Sequence, residues 1–245
     1  MTTNEVEQAQ QPEKKMRTVM VAAPSYDGSV NVYYASALAE CCKIGLMYNI
    51  NVVPFYIAYD ALIQRARNDI FKVAYDSKVD DLVFIDCDVD WNPTDLFKLL
   101  SHNVEIVGAA VVKKSDFEQY AVKVDMQNPI DPEDIALFSG TGLAEVAGLG
   151  LGFLRVRKDA IKKIWNYSDS YTEPYKHEPI RMVFNVGILD GELCSEDIYF
   201  CESWRRSGGK IYVDPAINLS HTGVKRWTGN FYDWIKRTST AVRQE

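Results

Sequence analysis

The apolar positions of this chain fall into two rhythms, one suited to buried strands and one to helices. Residues 18–23 form an apolar run that stops at Pro24-Ser25-Tyr26-Asp27-Gly28. Residues 32–48 carry Ala, Leu, Cys and Met at helical spacing and predict a covering helix. Residues 51–57 read as a second strand, and residues 61 to about 75 as a second helix. Residues 82–85 are four consecutive apolar positions, the mark of a strand buried on both faces. Asn92-Pro93 fits an N-cap and first helical residue for a helix through Leu100.

The same alternation continues in the second half. Residues 105–113 predict a strand, with residues 121–124 expected to pair with it, and residues 125–142 read as loop. A glycine-spaced stretch, 145–156, leads into another strand, followed by a short helix over 158–165. Residues 168–179 are polar and proline-bounded, which suits a mobile lid. Ser195 is an N-cap for a helix ending near Gly208-Gly209. Residues 210–213 are a strand, and 217–221 an apolar, strand-like run. Residues 1–16 are polar and aperiodic, the pattern of a disordered tail. The rest, 17–245, reads as one α/β domain, since 245 residues suit one large domain better than two small ones.

Charge and cysteine usage narrow the class. A net charge of −7 argues against a generic nucleic-acid binder, though a local basic groove stays compatible with it. The five cysteines are odd in number and form no Cys-x-x-Cys pair, which suits reduced thiols in a cytoplasmic compartment. No apolar run approaches transmembrane length, and no apolar signal core opens the chain.

Six stretches carry candidate chemistry. The buried strand at 82–85 ends in Asp86-Cys87-Asp88-Val89-Asp90, at the strand end where α/β sheets hold ligands. Two close carboxylates repel unless a cation joins them. A hard divalent ion, its shell completed by phosphate and water, relieves that repulsion. The competing reading is a solvated acidic loop. Pro24, Ser25, Tyr26 and Asp27 can cup a base and ribose, with the Tyr26 ring stacking, or form a plain turn. In the 61–75 helix Arg65 and Asn68 share a face and Arg67 points elsewhere. A guanidinium from this helix can hold Asp86 or a diphosphate, or simply be solvated. Glu196 and Asp197 occupy the first turn of a helix, which a helix dipole alone would explain. His221 follows an apolar run that can aim it at a site, against the commoner reading of a lone structural histidine. The glycines 148, 150 and 152 precede a strand instead of opening a helix, so they are no dinucleotide fingerprint; they let backbone approach a ligand or strand closely.

In this order the parts resemble the GT-A glycosyltransferases. Asp86-Cys87-Asp88 matches that class's Asp-x-Asp motif, Gly148 to Gly152 its glycine-rich loop, Ser195-Glu196-Asp197 its x-Glu-Asp motif, and His221 its late metal-binding histidine. Ala66-Arg67-Asn68 upstream of Ile85 to Val89 is similar to fungal Anp1-type mannosyltransferases and small glycosyltransferases of large DNA viruses and phages. The extra carboxylate Asp90 departs from the pattern and leaves the ligands among the three acids open.

The resemblance implies a Rossmann-like, mixed, mostly parallel sheet flanked by helices, with a nucleotide-sugar half at 17–115 and an acceptor half at 116–245. It implies a hexosyl- or pentosyltransferase that moves sugar from a nucleotide-diphosphate sugar, UDP-sugar preferred, to an acceptor hydroxyl. That hydroxyl would belong to a glycan or a hydroxymethylated DNA base. Asp86, Asp88 and His221 would hold Mn2+ (or Mg2+), with Asp86 shared with the ribose. Pro24, Ser25, Tyr26, Asp27, Arg65, Asn68 and Lys225 would bind the donor. Asp197 would act as base, and Glu196, Gly150 and Gly152 would meet the acceptor. For a virus-encoded chain the compartment would be the host cytoplasm. Two other classes compete: a sugar-phosphate nucleotidyltransferase, which lacks its basic glycine loop here, and an inactive glycan-binding module, which would need none of these acids.

Overall fold

The computed structural model describes residues 15–124, 142–174 and 178–242. The first half holds β1 (Arg17–Ser25), α1 (Val32–Met47), β2 (Ile50–Ala58), α2 (Ile63–Asp76), β3 (Asp81–Ile85), β4 (Val89–Asp90), α3 (Pro93–Ser101) and β5 (Ile106–Gly108). Next come β6 (Val122–Lys123), β7 (Ala144–Val146), β8 (Gly148–Leu149) and β9 (Phe153–Arg157). Helices follow at Lys158–Tyr167, Glu196–Arg206 and Phe231–Val242, with a strand at Ile211–Val213 between the last two. The expected tail through residue 14, the expected loop at 125–141 and positions 175–177 of the expected lid lie outside the described residues.

One mixed α/β sheet organises the domain. Its strand order is β2-β1-β3-β9-β5, then Ile211–Val213, then β7. β1 pairs parallel with β2 and β3, and Ile211–Val213 pairs parallel with β5. Only β9, wedged between β3 and β5, and β7 at the edge run against the rest. The mostly parallel sheet flanked by helices is therefore the observed one.

Strand periodicity sends alternate residues into two separate cores. Met20, Leu82, Phe84, Leu154 and Val156 pack with Ile70 and Phe71 of α2 and with Phe200 and Trp204 of the Glu196–Arg206 helix. Val19, Val21, Val83, Ile85 and Phe153 pack on the opposite face with Tyr34 and Leu38 of α1 and Leu96 and Leu99 of α3. All five residues of β3 are buried, as a strand covered on both faces requires. Asn31 and Asn92 cap α1 and α3, accepting from the backbone amides of Tyr33 and Thr94.

Three local features differ from the sequence expectation. The strand expected over 105–113 is regular only at β5. The segment at 121–124 meets that strand only at its start, the Ala121 amide donating to the Val111 carbonyl at 3.2 Å beside a Val112–Tyr120 bridge; from Val122 on, β6 pairs antiparallel with β8 instead. Gly148 permits this, because a Cβ there would press on Ile198 and on the Lys123 Cβ at 2.9 and 3.3 Å. The third is the Phe231–Val242 helix, which the sequence reading did not assign. Phe231 and Ile235 are buried, and the Phe231 ring lies 4.9 Å from Tyr120.

Candidate active site

The site begins where β3 ends. Leu82 and Phe84 face α2, and the two-residue period carries Asp86 to that side as well. Arg67 meets it there. Its Nη2 donates to Asp86 Oδ1 at 2.9 Å, and its Nη1 donates to Glu196 Oε1. Arg67 is 3% exposed, so the guanidinium is held inside the protein by two carboxylates. Burial raises the pKa of Glu196, and Arg67 works against that rise.

The expectation for the two arginines of α2 is thereby corrected. Arg65 is not beside Asp86; its guanidinium takes Asp60 through two hydrogen bonds of 2.8 Å. The physical reason is the wheel of α2. Arg67 shares its face with Ile70, Phe71 and Ala74, all buried against the sheet. Asn68 is buried too, and its amide serves the backbone. Oδ1 accepts from Val183 and Phe184 at 3.0 and 2.8 Å, and Nδ2 donates to the Phe184 carbonyl at 3.0 Å.

Asp88 has different partners. A strand at Ser220–Thr222 pairs with β4 so that His221 lies opposite Val89, and the Thr222 amide donates to the Asp88 carbonyl at 2.9 Å. The His221 Nδ1 lies 2.9 Å from the Val112 carbonyl. A carbonyl only accepts, so Nδ1 carries the hydrogen; Nε2 donates to a carboxylate when the ring is protonated and offers a lone pair to a cation when it is neutral. That nitrogen is 3.3 Å from Asp88 Oδ1. The Lys114 ammonium bonds Asp88 Oδ2. Burial alone would raise the Asp88 pKa, but His221 and Lys114 outweigh it and hold the carboxyl below its usual range. Burial first, then the flanking acids, push the Cys87 thiol up to about 11, so it stays protonated near neutral pH.

Asp90 is turned to a different cation. Arg226 takes its carboxylate, while the Arg226 guanidinium lies 5.0 Å from the Tyr33 ring. Lys225, on the same hairpin, bonds Asp116 and sits 5.2 Å from the Trp227 ring. Among the described residues no three His, Cys, Asp or Glu side chains converge as a ready metal cage. Asp88 and His221 face each other, and Asp86 is turned to Arg67. One carboxylate and one imidazole lone pair form a donor set that fits a divalent ion completing its shell with phosphate oxygens and water.

Glycines make the floor between the acids. The Asp86 amide donates to the Gly152 carbonyl at 3.2 Å, and a Cβ on Gly152 would lie 3.1 Å from Asp86 Oδ2. A Cβ on Gly150 would lie 2.9 Å from that of Ala121 and 3.7 Å from Asp197 Oδ2. Bare backbone therefore separates Asp86 from Asp197. Asp197 Oδ1 accepts from the Ser195 hydroxyl and from the Ile198 amide at 2.7 Å, which leaves Oδ2 toward the glycines.

The loop after β1 packs on this strand end, the Asn31 amide donating to the Cys87 carbonyl at 2.9 Å. Asp27 accepts from the Ser29 amide and hydroxyl at 2.9 and 2.7 Å, and these bonds lower its pKa. The Ser25 hydroxyl donates to the Ser29 carbonyl, so Ser25 and Asp27 both shape the turn that follows Pro24. Tyr26 is 75% exposed, with its ring open to solvent.

The sequence reading gave Arg67 and Lys114 no role at the site. The buried face shared with Ile70, Phe71 and Ala74 is the signal for Arg67. Lys114 stands in a loop, where no periodicity points to its partner.

No protein-family model and no curated protein matches the chain. Solved structures do. The first is A197 from STIV, 19% identical, with 85% of this chain and 86% of that one aligned at a TM-score of 0.52. The chain shares its fold with A197. Glycosyltransferases also match, at lower scores. A Drosophila β-1,4-galactosyltransferase 7 variant in complex with manganese, UDP-Gal and xylobiose is 15% identical, covering 81% of this chain and 65% of that one, TM-score 0.45. A glycosyltransferase involved in glycosylating the major capsid of PBCV-1 is 17% identical, covering 64% and 72%, TM-score 0.32. Among the described residues no helix is long and apolar enough to cross a membrane.

Proposed function

We propose that this chain is a metal-dependent glycosyltransferase that moves a sugar from a nucleotide-diphosphate sugar to an acceptor hydroxyl. The observation that carries the reading is the Asp88–His221 pair. Its imidazole is oriented by the Val112 carbonyl, and it stands at a β-strand end beside Asp86. A metal ligand of this kind is typically fixed by just such a backbone partner on its other ring nitrogen.

Asp88 and His221 would hold the divalent ion, and Asp86 would be shared with the donor. The ion would offset the charge that builds on the departing diphosphate. An imidazole beside carboxylate suits manganese somewhat better than magnesium. Tyr26 would stack on the base, and Lys225 would leave Asp116 for the diphosphate. Asp197 would accept the proton of the acceptor hydroxyl across the Gly150 backbone, and Glu196 would bind a neighbouring hydroxyl. The UDP preference and a glycan or hydroxymethylated-base acceptor rest on the resemblance alone.

The test is a donor-hydrolysis screen over UDP- and GDP-sugars with manganese, magnesium or chelator. The expected result is release of one nucleoside diphosphate only when a divalent ion is present. Nucleotide binding indifferent to metal, with no turnover of any donor, would overturn the reading.

A further inference from the structure

Lys114 occupies a place that the proposed reaction does not use. Its ammonium bonds Asp88 Oδ2 while His221 Nε2 faces Oδ1, so both oxygens of that carboxylate are engaged. The rest position of its stem is shaped as well. A Cβ on Gly223 would lie 3.3 and 3.5 Å from Lys114 Cδ and Cε and 3.2 Å from Trp227 Cζ3. The methylenes therefore lie over bare backbone beside an indole edge, a packing that a long cationic side chain favours. The hairpin that carries Gly223 also carries His221, and Lys225 ties it to Asp116, two residues beyond Lys114.

We infer that Lys114 is the protein's own counter-ion for Asp88, which a divalent ion must displace in order to bind. The inference rests on the metal-dependent reading of this site. A cation bound to the same carboxylate comes within a few ångströms of an ammonium still held there, and like charges repel at that range. The lysine thus holds the Asp88 carboxylate in place before the metal binds, and it sets how tightly the metal is held.

The test measures free Mn2+ by electron paramagnetic resonance during titration of the full chain without nucleotide. Lys114→Met keeps the stem over Gly223 and removes the charge, Lys114→Arg keeps a charge, and Asp88→Asn removes the ligand. Melting curves verify that each variant is folded. The expected result is Mn2+ binding about five- to tenfold tighter in Lys114→Met than in the natural chain. Lys114→Arg should stay close to the natural chain, and Asp88→Asn should lose binding. Equal affinity of the Lys114→Met and natural chains, with binding lost in Asp88→Asn, would overturn the Lys114 inference and leave the metal site standing. No Mn2+ binding in any variant would overturn the Lys114 inference, and the metal-dependent reading falls with it only where the donor screen also shows no metal-dependent turnover.

Discussion

Asp86 and Glu196 share one guanidinium. Arg67 donates to both, one at the end of β3 and the other at the start of a helix far along the chain. Replacing Arg67 with Met should leave two carboxylates facing each other inside the protein. The expected loss is about 3 kcal/mol, the lower end for a buried charge that loses its partner, because the Asp86 side chain is 33% exposed and water screens part of the cost. Lys in this position reaches one carboxylate at a time and should recover less than half. Urea unfolding of the two variants measures both values.

Asp197→Asn keeps the shape of the side chain and its bonds from Ser195 and Ile198 in outline, and removes the proton acceptor. Its kcat should fall by roughly 10²–10⁴-fold with donor affinity little changed. A purely structural acid at a helix start would instead show normal kcat and a small fall in Tm. Steady-state kinetics and a melting curve on this one variant separate the two outcomes.

Removing the imidazole tests the proposed metal pair from the other side. His221→Ala should abolish the manganese-dependent part of UDP binding while the natural chain retains it, as calorimetric titration with and without chelator would register. Tyr26→Ala should weaken donor binding by roughly 1–3 kcal/mol if its exposed ring stacks on the base. Unchanged UDP affinity would remove Tyr26 from the donor site.

Asp214 gives a stability prediction away from the chemistry. It is buried, and its carboxylate takes His102 Nε2 at 2.9 Å, Lys98 at 2.9 Å and the Ala216 amide at 2.9 Å. Burial pushes its pKa up, and these partners more than reverse the push, so the folded value lies below the unfolded value of about 3.9. A carboxyl shifted down stabilises the fold fully above the unfolded value, and that contribution drains as pH falls through the folded one. Asp214→Asn should therefore cost about 1.5–3 kcal/mol near pH 7. The difference from the natural chain should shrink below about pH 4. Denaturant titrations across that range check the sign.

Much of this architecture is legible in the sequence, for identifiable reasons. Four apolar residues running into alternating acids admit few readings, and β3 with Asp86 at its end is the result. Asn92 announces its helix by local capping chemistry, whereas the cap that Asn31 supplies to α1 shows only in the structure. Arg67 is legible only through its neighbours at helical spacing, since side-chain type alone does not separate it from Arg65. The Arg226–Asp90 contact joins two short strands far apart in sequence, and Lys114–Asp88 joins two loop residues, so no local repeat exposes either partner. The pairing of β6 with β8 depends on room at Gly148, a tertiary property. The final helix carries Phe231, Trp234 and Ile235 at suitable spacing, but its packing partner Tyr120 lies in the first half of the chain.

The antiparallel β9 has a consequence for how the protein is made. It enters the sheet between β3 and β5, pairing Phe153 with Ile85 and Leu154 with Gly108. On the ribosome, both older strands present an open edge until residue 157 has emerged. The Gly152 carbonyl that receives the Asp86 amide arrives in the same segment, and Glu196, the second partner of Arg67, later still. A nascent chain stopped before β9 would hold the acids of β3 beside an uncovered sheet edge, a surface that invites pairing with a second copy. The segment before β9 is therefore unsuited to life as a separate module, and a chaperone that shields strand edges during synthesis should raise the yield of the whole chain.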